Sequence, residues 1–209
     1  MNDITSYMLE QTKKILSIDS PTGFTAHAAE YVLGAYKKLG YDAKLTNKGG
    51  IFVCVNDGPD QADDPADAPI LLEAHMDTLG GMVCSINEKG RLVLSALGGM
   101  NPNNAEAENC RVYTRSGKVY SGTFQLKNAS IHVNGSYNDT ARSYDAMEVV
   151  LDEPVESKAD TEALGIMTGD IVCFAYLMAL GRFALILGAM DTGSSFEGMG
   201  ASREALYGA

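Results

Sequence analysis

The chain has 209 residues and a formal net charge of −11, with 27 acidic side chains against 16 basic ones. Such an acidic surface repels phosphate backbones, so nucleic acid is not an expected partner, and the charge suits a soluble cytoplasmic protein. Apolar residues make up 45% of the sequence, which is enough to bury a core.

The first 55 residues predict two helices and two short strands. Apolar side chains at Ile4, Met8 and Leu16 recur at helical spacing, which predicts an amphipathic helix over 3–17 and not a signal peptide. After the break at 20–23, we expect Thr25 to cap a second helix that ends before Gly40. Strands are predicted at 41–45 and 51–55, joined by a Gly-rich turn.

The next segment, residues 57–69, holds five aspartates and three prolines. Aspartate clusters can bind calcium, but the regular spacing and turn glycine of an EF-hand loop are missing. We therefore expect an exposed connecting loop. The apolar stretch from Ile70 to Ala74 then predicts a short strand that is buried on both faces.

From Gly81 onward, short strands follow one another with close turns between them. A short helix is predicted at 157–164, and strands are predicted at 82–87, 91–95, 110–115, 118–124, 130–133, 147–152 and 171–174. This succession of short strands and close turns predicts a small β-barrel-like module. The expected fold class is α/β to about residue 80, followed by a β-rich insert.

The four cysteines, at positions 54, 84, 110 and 173, are widely spaced, and no two of them form a Cys-x-x-Cys pair. This pattern argues against a structural zinc site. Cys54, Cys84 and Cys173 lie in apolar runs, so we interpret the cysteines as buried, reduced thiols in a reducing compartment.

The residues with the clearest chemical interest are His75 and Asp77. A neutral imidazole at the end of a strand is a good zinc or cobalt ligand, and an aspartate two residues later can accept the other ring N–H and orient it. Glu73 would lie on the same strand face. A histidine satisfied by hydrogen bonds at a strand end explains the pattern equally well, so these residues leave both interpretations open.

Six segments occur in an order and spacing that resemble a known family. Together they are similar to the first half of the metallo-aminopeptidases related to glutamyl aminopeptidase and the tetrahedral (TET) peptidases, metallopeptidase family forty-two. The segments are SPTGF (20–24), EAHMDTLGGMV (73–83), KGRLVLSALGGMNP (89–102), NCRVYTRSGKVYSG (109–122), HVN (132–134) and LGIMTGDIVCF (164–174).

The resemblance implies an α/β catalytic domain with an inserted β-barrel-like domain used for dimerisation. It assigns 1–80 to the first part of the catalytic domain, 81–165 to the insert and 166–209 to the returning, divergent part of the catalytic domain. It also implies two zinc or cobalt ions that activate a water for attack on an N-terminal peptide bond. His75 would be a metal ligand and Asp77 the residue that orients it. Peptides would be the substrates, and the chain would form a homodimer or higher oligomer.

The chain departs from the family pattern after Phe174. The family's Asp-Asp pair, Glu-Glu pair and late histidine are not visible, and the only acidic residues there are Asp191, Glu197 and Glu204. The other histidines, His27 and His132, are expected on a helix surface and within the insert. A truncated or rearranged gene product would look like this, and the isolated chain is expected to be inactive.

The run from Ala175 to Met190 is the longest apolar stretch. It is shorter than the roughly 20 residues that a membrane span needs, and Arg182 lies in its middle, so we interpret it as a buried helix and expect no membrane partner.

Three functional hypotheses follow from the sequence. The chain is an aminopeptidase homologue with residual or no activity, a non-catalytic assembly module that uses the insert for dimerisation, or a small-molecule-binding α/β protein without a metal. The sequence does not indicate the substrate preference, because the family's substrate pocket is built largely from the missing half.

Overall fold

A computed structural model describes residues 3–55 and 70–174. The chain divides into two compact units, Met1–Cys173 and Phe174–Ala209. The predicted acidic loop at 57–69 and the predicted helix at 175–190 lie outside the described residues.

The fold combines three helices with eight strands in the described part of the chain. The helices are α1 (Asp3–Leu16), α2 (Ala26–Lys38) and α3 (Lys158–Ala163). The strands are β1 (Ala43–Leu45), β2 (Ile51–Val53), β3 (Gly80–Ile86), β4 (Leu92–Leu97), β5 (Asn109–Tyr113), β6 (Val119–Leu126), β7 (Met147–Leu151) and β8 (Ile171–Phe174).

The N-terminal part consists of α1, α2 and the antiparallel β1–β2 hairpin. Both helices confirm the predictions, and Gly40, at φ +91°, follows α2 in the left-handed conformation that glycine adopts easily. Thr25 occupies the N-cap position of α2, but its side chain makes no capping hydrogen bond, contrary to expectation. No residue of α1 is buried, and Ile4 and Met8 are 66% and 61% exposed.

The remaining strands close into a barrel in the order β3-β4-β7-β6-β5-β8. Closure pairs each strand on both sides, so the barrel has no open edge. Its core contains the buried side chains of Val83, Leu92, Val112, Phe124, Leu126, Met147, Val149 and Val172. The predicted barrel-like module is therefore confirmed. Because β8 also belongs to it, the barrel extends past the boundary predicted at residue 165.

Two predicted strands are wrong. Residues 70–74 form no strand, and Ile70, Leu71 and Leu72 are 88%, 75% and 89% exposed. A strand buried on both faces needs neighbours on both edges. Among the described residues, a single parallel bridge, Pro21 to Thr78, borders this segment. At 130–133 the backbone turns instead, because the amide N–H groups of Val133 and Asn134 both donate to the carbonyl of Ser130.

The cysteine prediction holds for two of the four positions. Cys110 and Cys173 are buried in the barrel, and burial raises the pKa of each thiol to about 12. Cys54 and Cys84 are exposed, contrary to expectation. Cys84 directly follows the buried Val83 on β3, so the alternation of strand side chains points it outward.

No helix in the described ranges is long and apolar enough to cross a membrane, since the longest, α1, has 14 residues.

Candidate functional site

His75 and Asp77 lie in the segment that leads into β3, and their side chains meet. His75 Nδ1 is 3.1 Å from Asp77 Oδ1 and 3.1 Å from the Asp77 carbonyl oxygen. Both oxygens can only accept, so we assign the ring proton to Nδ1, which leaves the lone pair on Nε2. The side chain of His75 is 83% exposed and that of Asp77 is 38% exposed. The structure brings these two residues together, while their roles in catalysis stay predictions.

Thr22 completes this arrangement, although the sequence indicated no role for it. Its hydroxyl Oγ1 donates to Asp77 Oδ2 at 2.7 Å, so each carboxylate oxygen has its own donor. The hydrogen bond from Thr22 lowers the pKa of Asp77, as does the bond from His75, while partial burial acts in the opposite direction. Asp77 is thereby held as the ionised acceptor that the His75 ring needs.

The backbone around Thr22 is bound to the His75 segment on both sides. The amide of Thr78 donates to the carbonyl of Ser20 at 2.8 Å, and the amide of Thr22 donates to the carbonyl of Thr78 at 3.2 Å. The Ser20 hydroxyl donates to the Met76 carbonyl at 2.9 Å. Residues 20–22 and 76–78 therefore form one short parallel pairing, bridged at Pro21 and Thr78.

This pairing is attached to the barrel through Asp19. Its carboxylate accepts two hydrogen bonds from Arg111 of β5, both of 2.6 Å, and a third of 2.6 Å from the Tyr113 hydroxyl. The side chain of Asp19 is only 13% exposed. Burial raises its pKa, but the hydrogen bonds from Arg111 and Tyr113 outweigh that effect and hold the pKa of Asp19 below its ordinary value.

Gly80 allows the paired segments to reach the end of the barrel. A Cβ atom at this position would lie 2.7 Å from the Cβ of Pro21 and 2.8 Å from the backbone oxygen of Val172. Pro21 and β8 therefore occupy the space that a side chain at position 80 would need.

The other candidate metal ligands do not join His75. Glu73 is exposed, and the strand expected to align it with His75 and Asp77 is not formed. His27 is exposed on α2, as predicted, and His132 lies in the exposed turn at 131–133. Asp191, Glu197 and Glu204 are outside the described residues.

The residues that the structure describes do not fit a metal ion. Within 3–55 and 70–174, no group of three or more His, Cys, Asp or Glu side chains could hold one. Zinc sites in proteins use three or four protein ligands, and a lone histidine cannot compete with water and buffer. What the arrangement supplies is one oriented imidazole with an exposed Nε2.

Comparison with known families identifies the class of protein. The family model of the M42 glutamyl aminopeptidases matches residues 52–183, which is more than half of the chain. The chain belongs to the M42 glutamyl aminopeptidase family. The resemblance seen in the sequence is thereby confirmed. Because this family consists of metal-dependent peptidases, membership implies a dependence on divalent metal, while the identity of the ion is left open.

A curated M42 relative shows how much of the family fold this chain spans. The putative aminopeptidase YhfE of Bacillus subtilis is 38% identical over 166 residues, which cover 79% of this chain and 46% of YhfE. The chain thus spans a little under half the length of this relative.

Solved structures show the same fold. The TET aminopeptidase of a marine sediment thaumarchaeon gives a TM-score of 0.67 at 18% identity, covering 82% of this chain and 45% of that one. The TET1 peptidase of Pyrococcus horikoshii, which can assemble into a tetrahedron or a large octahedral shell, gives 0.63 at 22% identity, covering 80% and 46%. The mixed α/β fold with its six-stranded barrel is therefore similar to that of TET aminopeptidases.

A second, shorter similarity concerns a different protein. Over 40 residues, 19% of this chain, the sequence is 52% identical to hydrogenase-4 component C of Escherichia coli, of which the match covers 13%. The match covers too little of either chain to carry a function. The prediction that a rearranged gene product underlies the chain stays a prediction.

Proposed function

We propose that this chain carries the His75–Asp77 part of a dinuclear metallo-aminopeptidase site and that it does not hydrolyse peptides by itself. In the complete family fold the reaction would be removal of N-terminal residues from peptides, with zinc or cobalt as the expected ions. His75 would be a metal ligand and Asp77 the residue that orients its ring.

The observation that supports this proposal is the state of the His75 ring. Its Nδ1 donates a hydrogen bond to Asp77, so Nε2 carries an unprotonated lone pair on a side chain that is 83% exposed. A carboxylate behind a ligating histidine is the usual arrangement at metal sites. Among the described residues, however, no group of three or more potential ligands could hold a metal ion, so the metal site is incomplete within them.

The purified chain is expected to show no hydrolysis of aminoacyl-nitroanilides above the buffer rate when zinc or cobalt is added. The substrates should include acidic, basic and neutral residues, and metal content should be measured on protein purified without chelator. We expect well under two ions per chain, because the described ligands are too few.

His75→Ala and His27→Ala form a matched pair of controls, since both remove an exposed histidine. A metal-dependent rate that disappears in His75→Ala and persists in His27→Ala would contradict the proposed inactivity. Nonspecific metal binding would be reduced equally by the two variants.

A second candidate function is assembly through the barrel. The barrel is closed and has its own buried core, so it does not need the rest of a catalytic domain to satisfy its strands. We propose that it acts as the dimerisation-type insert, running from about residue 81 through β8, between the catalytic segments 1–80 and those after it. The partner would be a second copy of the chain in the cytoplasm, with no nucleic acid or membrane involved.

The assembly hypothesis predicts a species of at least twice the mass of the chain. Light scattering coupled to size exclusion, over a wide range of protein concentration, measures it. A strictly monomeric chain at the highest concentration would rule out this function without bearing on the His75 site.

A further inference from the structure

The Thr22 hydroxyl is placed to decide how Asp77 presents its carboxylate. A carboxylate turns readily about its last torsion angle, so an aspartate held at one oxygen alone samples several orientations. Here Thr22 Oγ1 binds Oδ2 at 2.7 Å and leaves Oδ1 facing His75 Nδ1 at 3.1 Å. The two contacts together define one orientation of the carboxylate.

Thr22 is itself held on both sides. Its amide donates to the Thr78 carbonyl, and the amide of Phe24 donates to the Pro21 carbonyl at 2.7 Å, closing a tight turn. Gly23 sits in that turn at φ +86°, a conformation that suits glycine. Asp19, three residues earlier, is fixed to β5 by Arg111 and Tyr113. The Thr22 hydroxyl therefore projects from backbone that is hydrogen-bonded to the Asp77 segment and attached to the barrel through Asp19.

We propose that Thr22 is a positioning residue that acts through Asp77 to hold His75 in the tautomer with the proton on Nδ1. This inference rests on the proposed function in one respect: the tautomer matters because it leaves Nε2 as the outward lone pair that a ligand could use. The sequence offered no role for Thr22, which lies 55 positions from Asp77.

The influence of Thr22 on the His75 tautomer is limited by a second contact. The carbonyl oxygen of Asp77 also lies 3.1 Å from His75 Nδ1, and this contact does not depend on Thr22. Loss of the hydroxyl should therefore shift the tautomer ratio without inverting it completely. A single hydrogen bond of ordinary net strength corresponds to a change of about fivefold.

The test is nitrogen-15 NMR of the metal-free chain with labelled histidine, recorded well above the pH at which histidines titrate. His75→Ala assigns the signal. The wild-type chain is expected to show mainly the Nδ1–H form of His75. Thr22→Val, which replaces the hydroxyl with a methyl group, should move the ratio about fivefold toward Nε2–H, and Thr22→Ser should keep the wild-type ratio.

Thr12→Val is the matched control, because the Thr12 hydroxyl donates to the Met8 carbonyl within α1. It should leave the His75 signals unchanged. A wild-type chain in which Nε2–H dominates would overturn the proposal whether or not Thr22→Val folds. So would a ratio that is the same in Thr22→Val as in wild type, or a Thr22→Ser variant that behaves like Thr22→Val.

The outcome is separable from the proposed function. The tautomer ratio of His75 is measured without metal or substrate, so it does not depend on whether the chain is active. Conversely, a His75-dependent peptidase rate would contradict the proposed inactivity and leave the tautomer result standing.

Discussion

Replacing Phe124 with alanine is expected to lower the free energy of unfolding by about 3–5 kcal/mol. Phe124 lies on β6 with none of its surface exposed, opposite Val149 of β7, and its ring centroid is 5.7 Å from that of Tyr144. The barrel is closed around this ring, so its strands cannot collapse easily into the space left behind. The lost transfer free energy and the cavity therefore act together.

Chemical denaturation measures this loss, and Val119→Ala on the same strand is its control. Val119 is 46% exposed, so its truncation should change the free energy of unfolding by no more than about 0.5 kcal/mol. Equal losses in the two variants would mean that the barrel interior is not packed as described.

Replacing Arg111 with methionine is expected to lower the free energy of unfolding by about 2–3 kcal/mol at neutral pH. Asp19 would keep its burial and its Tyr113 bond but lose two of three donors, including the positive charge. Methionine retains much of the apolar stem of arginine. We place the value below that of a fully buried pair, because the Arg111 side chain is 40% exposed.

The loss should depend on pH in a defined direction. The folded-state pKa of Asp19 is depressed, so this group stabilises the fold above the unfolded-state pKa of about 4 and loses that contribution as the pH falls through the folded value. In Arg111→Met, burial dominates and the pKa of Asp19 rises. The difference in the free energy of unfolding between wild type and Arg111→Met should therefore be largest at neutral pH and become smaller in acid.

Urea unfolding at neutral pH and near pH 3 tests this dependence, with Arg115→Met as the control. Arg115 is exposed, and its guanidinium donates to a neutral acceptor, the Thr168 carbonyl, at 3.2 Å. A deficit of equal size at both pH values would show that Arg111 stabilises the fold by packing and not by its charge.

Most of the secondary structure was predictable because its signals are local. The helical spacing of apolar residues marks α1, and Gly40 and Gly165, both at positive φ, follow α2 and α3 closely. Hairpins such as β5–β6 are indicated by a Ser-Gly turn between two alternating segments. The segment at 70–74 was mispredicted, because burial of an apolar run depends on partners that the run itself does not specify.

The candidate site was predictable only in part. His75 and Asp77 are two residues apart, so their hydrogen bond could be anticipated from the sequence. The contacts of Thr22 with Asp77 and of Asp19 with Arg111 join positions 55 and 92 residues apart. Such contacts arise from chain packing and cannot be read from local spacing. Thr22 lies within the segment SPTGF (20–24), which contributed to the family resemblance, and Asp19 directly precedes that segment.

By itself the sequence determined the family, most of the succession of helices and strands, and the nearness of His75 to Asp77, since each depends on order and spacing along the chain. The tertiary structure alone decided that the barrel closes through β8, that residues 70–72 stay exposed, and that Thr22 holds the second oxygen of Asp77. These features require groups far apart in sequence to satisfy one another's hydrogen bonds or apolar surfaces. That condition is met only when the folded chain brings them together.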